Sequence, residues 1–146
     1  MFNFRLQSVL NFRKRQEEEK QRDLAVVNME QRKISDDLNG LVDEREAKSR
    51  ELNSLFSRPT DVNMLRLYSN FLSGRDTDIE KKIRELAASK ERLRQKQLEL
   101  QEYVKRKRVL EVLKERRLET HTREEHRKEL VFLDETATNI WFQERR

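Results

Sequence analysis

One proline, Pro59, divides this chain into two long segments whose apolar residues recur at alternating steps of three and four. Proline removes a helical hydrogen bond and disfavours helix at the residue before it, so a break near Arg58 is required. In the first segment the step runs through Leu24, Val27, Gln31, Ile34, Leu38, Leu41, Arg45, Lys48, Leu52 and Leu55. Seven of those ten positions are apolar, which is the pattern of a coiled-coil seam. Extended backwards, the register meets Lys20, Glu17, Arg13, Leu10 and Leu6, so the seam turns polar between Arg13 and Lys20.

The second segment opens with Leu65, Tyr68, Leu72, Arg75 and Ile79 in the same step. Following the apolar residues then requires a slip of one position, to Ile83, Leu86, Lys90, Leu93, Gln97, Leu100 and Val104. A second slip restarts the pattern at Val109, Leu110, Val112 and Leu113. Beyond a polar stretch, two apolar groups remain, Leu130 to Leu133 and Ile140 to Phe142.

Composition narrows the alternatives. The chain is 42% charged and 34% hydrophobic, with a mean hydropathy of −1.07, which suits either disorder or a helix pair that buries only a narrow stripe. The regular spacing selects the helix pair. Without cysteine there are no disulfides or thiolates. The absence of a long apolar run and of a secretory h-region gives the expectation of a soluble chain with no direct membrane insertion.

The expected fold class is therefore all-α: an antiparallel two-helix coiled-coil hairpin with an overhanging C-terminal helix, forming a single domain over 1–146. Helix 1 is expected over about 2–56, the turn over about 57–61 and helix 2 over about 62–142. Folding at that turn pairs seam residues whose numbers sum to about 120, such as Leu55 with Leu65, Leu41 with Ile79 and Ile34 with Leu86. This leaves one like-charge layer, Arg45 against Arg75. A parallel homodimer would instead stack Arg45, Lys48, Arg75 and Lys90 each on its own copy. At ~1.5 Å per residue the helices would reach roughly 80 Å and roughly 120 Å, so residues beyond about 118 would overhang. Gly40 and Gly74 fall near one level and mark either tolerated defects or a soft zone.

The residues offer little chemistry. His121 and His126 point in different directions on a helix, no phosphate-cradling glycine loop exists, and a helix pair has no concave cavity for catalysis. Neither catalytic, cofactor-binding nor metal-binding residues are expected, and the chain is read as non-enzymatic. Charge is more informative. Lys105 to Lys128 hold ten basic against five acidic residues, a surplus equal to the +5 of the whole protein. Glu111, Glu115, Glu119, Glu124 and Glu125 interrupt those cations, which argues against nucleic acid and leaves a solvated face or a docking surface for something acidic.

Both ends of the chain resemble the FliJ family of the bacterial flagellar export apparatus. The opening Phe2-Asn3-Phe4-Arg5-Leu6-Gln7-Ser8-Val9-Leu10, followed by Arg13, is similar to that family's F-x-F-x-L-x-x-V-L-x-x-R. The stretch from Lys105-Arg106-Lys107 through Leu113-Lys114-Glu115-Arg116-Arg117, with Glu124, Arg127, Lys128 and Glu129, then Leu133-Asp134-Glu135, is similar to its basic C-terminal helix.

The resemblance implies a stalk-like coiled coil that inserts into the ring of the flagellar export ATPase, promotes ring assembly and activity, couples the ring to the cytoplasmic domain of the membrane export gate, and escorts export chaperones. It implies a cytoplasmic protein held peripherally at the inner face of the membrane, at the flagellar base. On this chain, the implied ring-binding residues are Phe4, Leu6, Leu10 and Arg13 beside Arg106, Lys107, Arg108, Leu110, Leu113, Arg116 and Arg117. The implied gate-binding residues are Tyr68, Phe71, Leu72, Arg75 and Ile79, with Phe71 central. The competing readings are the equivalent stalk of an injectisome-type secretion system and a generic homodimeric scaffold.

Overall fold

The structure, a computed structural model, describes residues 2–144. The chain is all-α, as the periodicity requires, with α1 at Gln7–Leu55, α2 at Val62–Glu144 and no strand among the described residues. Two compact units form, one of Glu19–Gln101 and one of Met1–Glu18 with Glu102–Arg146. In each, a stretch of α1 packs antiparallel on a stretch of α2.

The first unit contains the turn. Leu55, the last residue of α1, has its carbonyl capped twice: the Arg58 amide donates to it at 3.1 Å and the Thr60 hydroxyl at 2.8 Å. Helix α2 then starts on Asp61, whose Oδ1 accepts the Asn63 amide at 3.1 Å. A carboxylate there satisfies a helix-terminal N–H that has no partner within the helix, an arrangement worth about 1 kcal/mol. Proline is thus accommodated between two caps.

The paired helices follow the expected register. Cross-helix contacts join Tyr68 to Glu51 at 3.1 Å, Arg45 to Asp76 at 3.0 Å, Lys82 to Asp37 at 3.7 Å and Lys20 to Glu99 at 3.5 Å. The like-charge layer is relieved by crossed pairing. Arg45 reaches Asp76, while Arg75 reaches back to Glu44 at 3.6 Å and to Asp78 at 3.3 Å. Their long stems cover the seam and their guanidinium groups leave it.

The seam of α2 corrects one expectation. No slip follows Ile79: the covered positions run Lys82, Leu86, Ser89, Leu93, Lys96 and Leu100 in unbroken steps of three and four. Ile83 is 51% exposed, and Lys90, Gln97 and Val104 also face outward. An uninterrupted helix keeps a 3.5-residue seam only if the phase is constant, and changing phase would require local unwinding. The phase is kept even though it places Ser89, 1% exposed, and two lysines on the seam, with apolar Ile83 standing one position past Lys82. The Ser89 hydroxyl donates to the Leu86 carbonyl at 2.8 Å, so its burial leaves no polar atom stranded.

Gly40 and Gly74 lie on exposed faces with ordinary negative φ, and a methyl group at either would meet nothing within 4 Å. Their cost is therefore backbone entropy alone. Gly40→Ala and Gly74→Ala are each expected to stabilise the protein by roughly 0.5–1 kcal/mol in urea melts followed by helical circular dichroism. A loss of stability in either variant would show that the glycine meets a demand that helix propensity does not capture.

The second unit carries the chain's opening. Helix α1 begins at Gln7 rather than near residue 2, because the Gln7 amide donates to the Phe4 carbonyl at 2.9 Å and closes a turn. Phe4 and Leu10 are the buried apolar side chains here, 4% and 2% exposed. On α2 the covered positions continue through Tyr103, Lys107, Leu110 and Lys114 to His121, whose ring meets Phe2 edge-on at 5.7 Å. Past His121 the residues of α2 whose side chains are described are all exposed, Leu130 to Leu133 among them. The overhang is real.

Candidate functional site

In the unit that joins the chain opening to the later part of α2, one seam layer is ionic. Glu17 is buried and holds Lys107 at 2.8 Å, and Glu111 lies 3.9 Å from the same amine. The Glu17 carboxylate, hydrogen-bonded to it, raises the Lys107 pKa above the ordinary lysine value. Two turns further on, Lys114 donates to the Gln7 side-chain oxygen at 2.8 Å. These are packing roles: both cations are spent between the helices.

The remaining cations divide sharply. Arg108 is held by Glu111 at 3.6 Å and Glu115 at 3.2 Å, and Lys105 by Glu102 at 3.0 Å. Arg106 instead stacks over the Tyr103 ring at 5.3 Å. Together with Arg116 and Arg117, it has no acidic partner among the described residues. All three are exposed. A guanidinium in that condition is available to an outside carboxylate, with which it forms the stronger, bidentate class of hydrogen bond.

Apolar side chains accompany them. Val9, Arg13, Arg106, Val109 and Leu110 line one shallow groove of about 280 Å³. Lys105, Arg108, Val109, Val112, Leu113 and Arg116 line another of about 540 Å³. Val109 is 68% exposed and Phe12 is also open. Of the residues singled out from sequence, Phe4 and Leu10 are interior and Leu6, Leu110 and Leu113 are half-covered, while Arg13 donates to Gln16 at 2.9 Å beside the groove. Val9 and Phe12 were missed, and Val109 and Val112, expected in a seam restarted by a second slip, lie outside the seam, which runs without a slip through Tyr103, Lys107, Leu110 and Lys114. Their signal is the step of three in each pair, lying outside the seam phase.

The turn-containing unit has its own apolar patch. Lys48, Met64, Leu67, Tyr68 and Phe71 line a groove of about 250 Å³, with Leu67 and Met64 largely exposed. Lys48 sits 6.0 Å from the Tyr68 ring centre, and Arg75 stacks 5.1 Å over Phe71. Of the residues singled out, Tyr68, Leu72, Arg75 and Ile79 occupy seam positions and Phe71 lies at the edge of this groove. Met64 and Leu67 extend it towards the turn with the step 64, 67, 71, a stripe distinct from the seam.

No cluster of three or more metal-ligating side chains occurs among the described residues, and none of their helices is long and apolar enough to cross a membrane. The surfaces present are short apolar stripes bordered by arginine. Comparison with known proteins gives one result of weight, a match of residues 1–146 to the family model described as Flagellar FliJ protein. Searches of curated proteins and of solved structures give no match.

Proposed function

The chain belongs to the flagellar FliJ family and is a component of the flagellar export apparatus, and from that premise we propose that it acts as a non-enzymatic stalk between the export ATPase and the membrane gate. The unit that contains the chain opening is the ring-binding end. The observation that carries this is the meeting there of Arg106 and Arg116, which lack acidic partners among the described residues, with open Val109, and of Arg106 with Val9, on a helix pair tied internally by Glu17 and Lys107. Phe4, Leu10 and Lys107 build the end; Arg13, Arg106, Arg116 and Arg117 meet the ring. Surface arginines steer association and select partners without requiring a deep pocket.

The turn-containing unit supplies the gate contact through Met64, Leu67 and Phe71, with Arg75 holding the Phe71 ring. Peripheral attachment at the membrane follows from that contact and not from any lipid-binding helix. Escort of export chaperones is part of the same family reading.

The test is reconstitution with the cognate export ATPase and with the purified cytoplasmic domain of the gate. The chain is expected to stimulate ATP hydrolysis and to be captured by the gate domain. Phe71→Asp with Leu67→Asp should reduce gate capture by at least about tenfold, a loss typical of a central apolar contact, and leave ATPase stimulation intact. Equal loss of both activities would overturn the division into two surfaces. Failure of the unaltered chain to stimulate the ATPase would remove the stalk reading.

A further inference from the structure

A second stripe at coiled-coil spacing runs along α2, flanked by α1 at Val109, which lines a groove with Val9 and Arg13. It comprises Lys105, Val109, Val112, Arg116, Glu119, Arg123, His126, Leu130, Leu133, Ala137 and Ile140, again in unbroken steps of three and four. It lies roughly half a turn around the helix from Lys107, Leu110 and Lys114, which face α1. Val109, Leu130, Leu133 and Ile140 are all at least half exposed. The stripe spans about five heptads, with apolar positions at its two ends (Val109 and Val112; Leu130, Leu133, Ala137 and Ile140) and the polar run Arg116, Glu119, Arg123 and His126 between them.

The geometry points to a second copy of this chain as the occupant, packed antiparallel along this stripe. Charge selects both the partner and the direction. The stripe begins in the basic stretch around Lys105 to Arg117 and ends in an acidic one, where Glu129, Asp134 and Glu135 stand without a basic residue between them. Antiparallel copies lay each acidic end on the other's basic end. A parallel pair would stack Lys105, Arg116, Glu119 and Arg123 each on itself, four like-charge layers.

One register serves the pairing best. It places Val109 against Leu133, Val112 against Leu130 and Glu119 against Arg123 of the second copy, each twice by two-fold symmetry. The flank brings Arg106 to Asp134, offset in part by Glu115 facing Glu129. The dimer is therefore weak and forms reversibly. It uses Arg106 and Arg116, so a chain so paired does not present them to a ring. That consequence rests on the ring-binding reading, whereas the pairing itself does not.

The chain has no cysteine, which makes cross-linking through introduced cysteines clean. Val112→Cys and Leu130→Cys proteins, mixed under mild oxidation, are expected to give a disulfide-linked pair of unlike chains, and neither alone should link to itself. Sedimentation of the unaltered chain should move from monomer towards dimer as concentration rises. Leu133→Asp, at a position 61% exposed, should stay monomeric with unchanged helicity. Arg106→Glu and Asp134→Arg should each weaken the dimer, and the double variant should restore it. A chain monomeric at every concentration overturns the inference, as does self-linking of either single variant or a double variant no better than its parents. None of these measurements involves the ATPase, so their failure leaves the stalk reading standing, and the reverse also holds.

Discussion

Replacing Leu10 by aspartate is expected to unpair the start of α1 from α2 while leaving the turn-containing unit folded. Leu10 is 2% exposed and, with Phe4, forms the apolar centre of its unit. Truncating such a residue to alanine typically costs about 2–5 kcal/mol. A carboxylate adds the penalty of a charge with no partner in a dry seam, and protein stability totals only about 5–15 kcal/mol. Few other apolar contacts offset this loss, since the following seam positions are Arg13 and, two turns from Leu10, the Glu17–Lys107 pair. Hydrogen exchange provides the measurement. Amides of residues 7–18 should lose protection in Leu10→Asp, while those of residues 24–55 keep it. Uniform loss along α1 would mean that the two units fold as one.

The same pair carries a pH consequence. The folded-state pKa of Lys107 is raised by Glu17, so its contribution is present below the ordinary lysine pKa of 10.5 and is lost as pH rises through the folded value. Acid acts elsewhere. Glu99, hydrogen-bonded first by Lys96 and also near Lys20, is lowered from 4.5, so its contribution is present above that value and fades as it protonates. That group is exposed, and the effect is correspondingly small.

Periodicity was enough to read the seam of α1, including its polar positions, though not where the helix starts. Arg13, Glu17 and Lys20 lie on the seam where the step of three and four places them, because a long polar side chain covers a seam with its stem. Helix α2 was harder for a definite reason. From Ile83 onward an apolar or long residue stands one position past each true seam site, so counting hydrophobic residues favours a slip that the helix does not make. Ser89 shows the difficulty: nothing in its chemistry announces burial, and only the unbroken phase does.

The Arg45–Arg75 layer was legible as a conflict but not as a resolved one, since Glu44 and Asp76 help only once the opposing helix is in place. At the candidate site, residue types were legible and accessibility was not. Phe4 and Leu10 share the opening motif with Val9, and the direction each takes depends on where α2 lies. The cations were likewise indistinguishable in sequence. Glu17 claims Lys107, Glu111 and Glu115 claim Arg108, and of the α2 cations singled out for the ring, Arg106, Arg116 and Arg117 remain available.

That division makes the second large effect specific. Arg106→Glu, Arg116→Glu and Arg117→Glu together are expected to abolish stimulation of the export ATPase and leave the melting curve nearly unchanged. The stretch from Lys105 to Lys128 would pass from ten basic and five acidic residues to seven and eight, so the sign of the surface reverses. Each arginine offers a charge-assisted contact worth about 1.5–3 kcal/mol, so even one lost contact reduces binding roughly tenfold. Stability is spared because these side chains are exposed and break no ion pair among the described residues, and such surface changes usually stay within about 0.5 kcal/mol. Lys107→Glu is the contrasting control. It sets a second carboxylate against Glu17 inside the seam and should lower the melting temperature of its unit before any effect on the ATPase is considered. The stimulation lost in the triple variant should also be the part of the unaltered protein's activity that falls as salt is raised. Undiminished stimulation by the triple variant would take the basic end out of the mechanism and shift the ring contact to Val9, Phe12 and Val109 alone.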